Sequence, residues 1–139
     1  MLKRLVMQDL IIEGKRREFF IPSVHFNAHN GHCRLSGESY LEETDFFYAQ
    51  LKDWIVLYTE RVRGPISFEF RLDYFNTTSM RYILDLLIQL RDYEMDGGVV
   101  SVQWYYPSWD EELLKDGEDF QLQTGLENFT FIEIPEEES

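Results

Sequence analysis

One cysteine, Cys33, stands among 139 residues, so an intramolecular disulfide framework is excluded and the chain suits a reducing cytoplasm. No apolar run approaches the roughly 20 residues of a membrane span, and the N-terminus lacks the apolar core of a signal peptide. There is no internal repeat, no low-complexity linker, no glycine-rich phosphate loop and no calcium-loop spacing. Cations are scarce at one end. Beyond Arg91 the only one is Lys115, against 14 of the 26 acids, whereas residues 1–91 balance 12 cations with 12 acids. The whole net charge of −13 therefore sits in residues 92–139. Such a surface repels nucleic-acid phosphates and anionic membranes and suits a protein partner with a basic face. Solubility alone accounts for the same acids.

What is present is enough for a core. A chain of this length and apolar content folds as one domain without metal or disulfide. The expectation is a single cytoplasmic domain over 1–139, with 1–9 as an N-terminal extension and 135–139 as a solvated acidic tail. Lys3, Arg4, Lys15, Arg16 and Arg17 make the N-terminal segment basic and irregular, with Leu10–Ile12 as a short strand or anchor.

Hydrophobic periodicity sets the element order. Asn30-Gly31 marks a two-residue hairpin turn. Folding about it pairs His29 with His32, Ala28 with Cys33, Asn27 with Arg34, Phe26 with Leu35 and His25 with Ser36. Phe26, Ala28, Cys33 and Leu35 then share one face, and all three histidines share the other. Ser39-x-x-Glu42 reads as a capping box, with Thr44 as a later start, for a helix burying Phe47, Leu51, Trp54, Ile55 and Tyr58. Residues 66–75 alternate apolar and polar as a strand with one buried face. A helix follows from about Thr77 to Glu94, stopped by Gly97-Gly98. Val99–Tyr106 is a strand, Asp110–Phe120 an acidic helix and Phe129–Ile134 a last strand. The order β-β-α-β-α-β-α-β predicts a mixed α/β sheet. Alternation in 66–73, rather than a continuous apolar run, predicts helices packed on one face only.

The segment Asp73–Tyr82 is the strongest functional signal. A strand ends at Tyr74-Phe75, and Asn76 is a good N-cap. Thr77, Thr78 and Ser79 then fall in the first helical turn, where backbone N–H groups lack partners and the helix dipole is positive. A hydroxyl there is open to a kinase, and an added phosphate meets favourable electrostatics. A polar cap with no further role accounts for the same residues.

Other constellations fare worse. His25 and His29 lie about 13 Å apart on one strand at ~3.3 Å per residue, too far to share one zinc at ~2.1 Å, and Cys33 points away from them. The Asp110–Asp119 carboxylates match a solvated helix face better than a magnesium site. Trp104, Tyr105, Tyr106 and Trp109 lack the interleaved cations of a nucleic-acid platform. Most of these rings belong to the core, with Tyr105 and Trp109 available to a protein-binding surface. No nucleophile, base and oxyanion donor assemble, so the expectation is a non-enzymatic protein without cofactor or metal.

Four segments, in order, carry a resemblance: Ser36-Gly37-Glu38-Ser39-Tyr40-Leu41-Glu42-Glu43, Tyr74-Phe75-Asn76-Thr77-Thr78-Ser79, Trp104-Tyr105-Tyr106 and Asp116-Gly117-Glu118-Asp119-Phe120. Over roughly residues 10–134 the chain resembles the SiaC-type bacterial regulatory phosphoproteins. It departs from the family's usual pattern at Leu41-Glu42-Glu43 and at Met80-Arg81. The resemblance implies a single STAS-like α/β domain, similar to anti-sigma-factor antagonists. It implies a partner switch: a dedicated kinase phosphorylates the threonine after the asparagine, a PP2C-type phosphatase removes the phosphate, and the unmodified form binds and activates a diguanylate cyclase, a GGDEF protein. Carried over, the phosphoacceptor is Thr77, with Thr78 and Ser79 as the neighbours most easily confused with it. Asn76, Arg81 and Tyr74 are the candidates for contact with phosphate or partner. Two other classes stay open at this point: an anti-sigma-factor antagonist in a sigma-regulation switch, and a small Mg²⁺- or Mn²⁺-dependent enzyme using the 110–119 carboxylates.

Overall fold

The alternation in residues 66–75 places a strand at the centre of a six-stranded sheet with its helices on one side. The computed structural model describes residues 7–14, 21–40 and 44–136. The basic residues Lys3, Arg4, Lys15, Arg16 and Arg17 lie outside them, as do Glu42 and the last three residues of the acidic tail. Strands β1 (Leu10–Ile12), β2 (Ser23–Phe26) and β3 (His32–Ser39) form an antiparallel meander. Helix α1 (Thr44–Leu57) then runs into a π-helical turn, Tyr58–Val62. Strand β4 (Ile66–Phe75), helix α2 (Thr77–Met95), strand β5 (Val100–Pro107), helix α3 (Glu111–Thr124) and strand β6 (Phe129–Ile134) complete the chain. The sheet order is β1-β2-β3-β4-β5-β6, parallel from β3 onward. Leu10–Ile12 thus pairs as an edge strand and adds one strand to the expected order.

Burial follows the two-residue period. Val24, Phe26, Cys33, Leu35, Ile66, Phe68, Phe70, Leu72, Val100, Val102 and Trp104 face the helices and are buried. From the helices, Tyr48, Leu51, Ile55, Ile83, Leu86, Leu87 and Leu90 meet them, at the spacing of one helical stripe. The opposite face carries Arg34, Ser67, Glu69, Arg71, Ser101, Gln103 and Tyr105, and no described helix covers it.

Three expectations need correction. The β2–β3 hairpin pairs Phe26 with Cys33 and His25 with Arg34, two residues away from the register that a two-residue Asn30-Gly31 turn dictates. Asn27 is the cause: its Oδ1 accepts from the backbone N–H groups of His29 and Asn30, and its carbonyl from Gly31 N–H. This closes a five-residue loop of 27–31 in which only Gly31 has positive φ, whereas a type I′ turn needs two such residues. A slip of two keeps every side chain on its predicted face, so the core set survives, but His29 belongs to the loop and leaves the other two histidines. Ser39 is no helix cap; it ends β3 with its side chain buried, and α1 starts at Thr44. Helix α3 continues past Phe120 to Thr124, where Gly125 closes it in the left-handed conformation.

A bulge reshapes the strand ends. Gly37 pairs with Leu72 but Glu38 with Tyr74, so Asp73 is an extra residue on β4. Beyond it the phase inverts: Phe75 turns into the core and Tyr74 outward, 49 % exposed.

Gly117, in the fourth quoted segment, has a packing role. A β-carbon there would lie 2.6 Å from Trp104 Cδ1 and Nε1. Trp104 is 1 % exposed and donates from Nε1 to the Leu113 carbonyl at 2.9 Å, so it has nowhere to retreat. Alanine in a helix interior normally gains about 1 kcal/mol over glycine, whereas overpacking a rigid core costs about 1–3 kcal/mol. Gly117→Ala is expected to show a net loss of up to about 2 kcal/mol, read as a lower urea midpoint at unchanged m-value; an unchanged or raised midpoint would show that the Trp104 contact yields.

Candidate functional site

The carboxyl ends of the two central strands, β3 and β4, meet the starts of α1 and α2 at the carboxyl edge of the sheet. Asn76 caps α2: its Oδ1 accepts from Ser79 N–H at 2.9 Å, its carbonyl takes Met80 N–H, and its own N–H goes to the Ser39 carbonyl. Thr77 and Thr78 are the first two helical residues and are exposed. Their N–H groups precede the first intrahelical bond and form the positive end of a 19-residue helix. Ser79 is different. It is fully buried; its Oγ receives the Ser39 hydroxyl at 2.7 Å and donates to the Ser39 carbonyl at 3.1 Å. The Tyr48 hydroxyl, 2.8 Å from Ser39 Oγ, closes the cluster; since the Ser39 proton is committed to Ser79, Tyr48 donates. Burial, partly offset by these serine bonds, pushes the Tyr48 hydroxyl up to about 12, so it stays protonated.

Beside the helix start lies a groove of about 500 Å³ between α2 and α3, lined by Thr77, Thr78, Arg81, Met80, Leu84 and Phe120 among others. Arg81 is exposed, one helical turn after Thr77. Tyr74 stacks on Tyr40 at the same edge, ring centroids 5.9 Å apart and both rings half exposed. The structure therefore gathers Asn76, Thr77, Thr78, Arg81 and Tyr74 on one edge and turns Ser79 away from it.

Sequence reasoning missed a second polar centre, on the open face of the sheet. Glu69 appears in the sequence only as the polar partner in an alternating strand. In the fold its side chain is 8 % exposed and accepts from His32 Nε2 at 2.8 Å, Arg34 Nε at 3.0 Å, Tyr105 OH at 3.1 Å and Arg71 Nη2 at 3.2 Å. Arg71 lies over the Tyr105 ring, 3.8 Å from its centroid. Burial pushes the Glu69 carboxyl up, but the donors, Arg34 foremost, outweigh it and hold it at about 2. No local pattern could have revealed this, because the four donors come from three strands.

The remaining candidates do not assemble. Cys33 is buried, its thiol pushed up by burial, with Sγ directed to the Gly31 carbonyl. Asp110 caps α3 by accepting from Leu113 N–H at 3.1 Å. Burial and the neighbouring Asp119, Glu112 and Asp110 carboxylates raise Asp116. Among the described residues no three His, Cys, Asp or Glu side chains converge as a metal site, and no helix is long and apolar enough to cross a membrane. Trp104 is core and Trp109 is exposed.

Fold and edge together define a one-sided mixed α/β domain that presents the hydroxyl-bearing start of a helix. The SiaC family regulatory phosphoprotein model matches residues 12–134. The chain belongs to that family. A relative, an uncharacterized protein of Pseudomonas aeruginosa strain UCBPP-PA14, is 28 % identical over 115 residues, covering 83 % of this chain and 89 % of its own. The crystal structure of apo-SiaC from Pseudomonas aeruginosa superposes with a TM-score of 0.76 at 26 % identity, over 91 % of this chain and 98 % of that one. The crystal structure of the diguanylate cyclase SiaD in complex with its activator SiaC, from the same organism, gives a TM-score of 0.79 at 26 % identity, over 91 % and 99 %.

Two outcomes follow from these bonds. Asn76→Ala removes the acceptor for Ser79 N–H and is expected to cost about 1 kcal/mol, while Asn76→Asp retains it; a midpoint unchanged in Asn76→Ala would mean that the cap contributes nothing. For Glu69, a carboxyl held at about 2 against an ordinary 4.5 contributes stability that is fully present above pH 4.5 and lost as pH falls through about 2. At 1.36 kcal/mol per pH unit the contribution is about 3 kcal/mol. The gap in urea midpoint between wild type and Glu69→Gln is expected to be wide at pH 7 and to narrow steadily below pH 4.5. A gap independent of pH would show that the carboxylate charge carries no stability.

Proposed function

We propose that this chain is a non-enzymatic partner switch: a dedicated kinase phosphorylates Thr77, a PP2C-type phosphatase removes the phosphate, and the unmodified form binds and activates a diguanylate cyclase in the cytoplasm. The observation that carries the reading is the contrast within one turn. Thr77 is exposed at the first position of α2, whereas Ser79, two residues on, is fully buried and hydrogen-bonded. The family and the cyclase bound by its relative supply the partner class.

The chemistry of the switch is electrostatic. Phosphate adds about −1.5 to −2 charge at pH 7. The Thr77 and Thr78 N–H groups, which make no bond to a described residue, and the Arg81 guanidinium stabilise it in the free protein. A partner surface shaped for a neutral threonine, flanked by the Tyr40–Tyr74 pair and the apolar floor of the groove, would have to desolvate a dianion. That costs several kcal/mol, enough to abolish micromolar binding. Phosphorylation therefore releases the partner.

Incubation with the cognate kinase and ATP, followed by intact mass measurement, is expected to add one phosphate to wild type and to Thr78→Ala, and none to Thr77→Ala. Equal labelling of Thr77→Ala would reject the acceptor. Affinity capture of partners from the native host is expected to retain a GGDEF-domain protein; a sigma-factor antagonist in its place would reject the cyclase as partner.

A further inference from the structure

The loop that corrects the hairpin register also builds a recess. His25, Asn27, Asn30, His32 and Arg34 line a concavity of about 230 Å³ on the open face, at the β2–β3 end of the sheet. His25 stands directly opposite Arg34 across the two strands, and His32 is the next residue of β3 on that face.

The commitments of these side chains leave donors. Glu69 takes Arg34 Nε and His32 Nε2; no bond to a described residue uses the two terminal nitrogens of the Arg34 guanidinium. Asn27 Oδ1 accepts from the backbone N–H groups of His29 and Asn30, and Asn30 Oδ1 from His32 N–H. Of a carboxamide's two polar atoms only the oxygen can accept from an N–H group, so the orientation of both amides is fixed and their NH₂ groups remain. Two carboxylates bonded to these elements are engaged: Glu69 by four donors, and Asp9, whose Oδ1 takes the Ala28 N–H at 2.8 Å. What lines the recess is thus a guanidinium held from behind with its two terminal nitrogens uncommitted, two amide NH₂ groups and the His25 imidazole, beside a His32 ring whose Nε2 hydrogen goes to Glu69: a set rich in donors, the complement of an oxyanion.

We propose that this recess binds a small oxyanion of the phosphate class, either free phosphate or the phosphoryl group of a nucleotide. The site is independent of the switch. Strand β3 separates His32 from Ser39, whose carbonyl holds Asn76, and seven residue steps at ~3.3 Å put about 23 Å between the recess and the start of α2.

The test is a titration of the full chain with inorganic phosphate at constant ionic strength, read by the ring resonances of His25 and His32, with chloride as control. Phosphate is expected to move both saturably and chloride neither. Arg34→Ala is expected to weaken the response at least tenfold. His25→Ala, which breaks no bond to Glu69, weakens it without disturbing the network, while Arg91→Ala and Thr77→Ala leave it unchanged. Adenosine 5′-monophosphate binding more tightly than phosphate assigns a nucleotide; equal binding assigns the free anion. Identical shifts with chloride, a wild-type response in both Arg34→Ala and His25→Ala, or an equal response to adenosine would overturn the proposal.

Discussion

Three buried hydroxyls set the orientation on which the candidate site depends. Ser79, Ser39 and Tyr48 bond to one another inside the junction of α2, β3 and α1, and Ser79 can reach that cluster only if its side chain points inward. At 3.6 residues per turn, two residues differ by about 200° around a helix. Turning Ser79 in therefore turns Thr77 out. The same rotation lays the Ile83, Leu86, Leu87 and Leu90 stripe against the sheet, so core packing and presentation of the hydroxyl are one constraint.

The one-sided sheet then divides the molecule into two working regions. At the carboxyl edge, where β3 and β4 end, α2 begins with Thr77 and Thr78 N–H groups that make no bond to a described residue, and the Asp73 bulge brings Tyr74 out to stack on Tyr40. On the open face, with no described helix above it, polar groups must satisfy one another. Glu69 does this for Arg34, Arg71, His32 and Tyr105, a network whose strength comes from a nearly buried carboxylate with every bond charge-assisted or hydroxylic. Of the 14 acids in residues 92–139, five lie on α3, the helix whose Phe120 lines the groove beside Thr77.

Local periodicity carried most of the fold. The alternation of Ile66, Phe68, Phe70 and Leu72, the helical stripes of α1 and α2 and the Asn76 cap each depend on near neighbours, and each appears where the spacing put it. Features that depend on distant or competing groups did not show. The Asn30-Gly31 turn lost to the Asn27 carboxamide, which captured two backbone N–H groups and lengthened the loop. Ser39 has the composition of a helix cap, yet its partners Ser79 and Tyr48 lie on two separate helices. The outward turn of Tyr74 needed a bulge that no residue type announces. By local spacing alone Thr77, Thr78 and Ser79 read alike; the packing buries Ser79 and leaves both threonines exposed. Glu69 drew no notice because its four donors meet only when three strands pair.

The central claim is that a charge added to Thr77 decides whether the partner stays bound. Its most direct test is a pair of binding isotherms with the purified diguanylate cyclase, one with the unmodified protein and one with the protein phosphorylated stoichiometrically by its kinase. The account predicts binding by the unmodified form and an affinity at least about a hundredfold weaker, some 2.7 kcal/mol, for the phosphorylated form. Equal affinities for the two forms would contradict it.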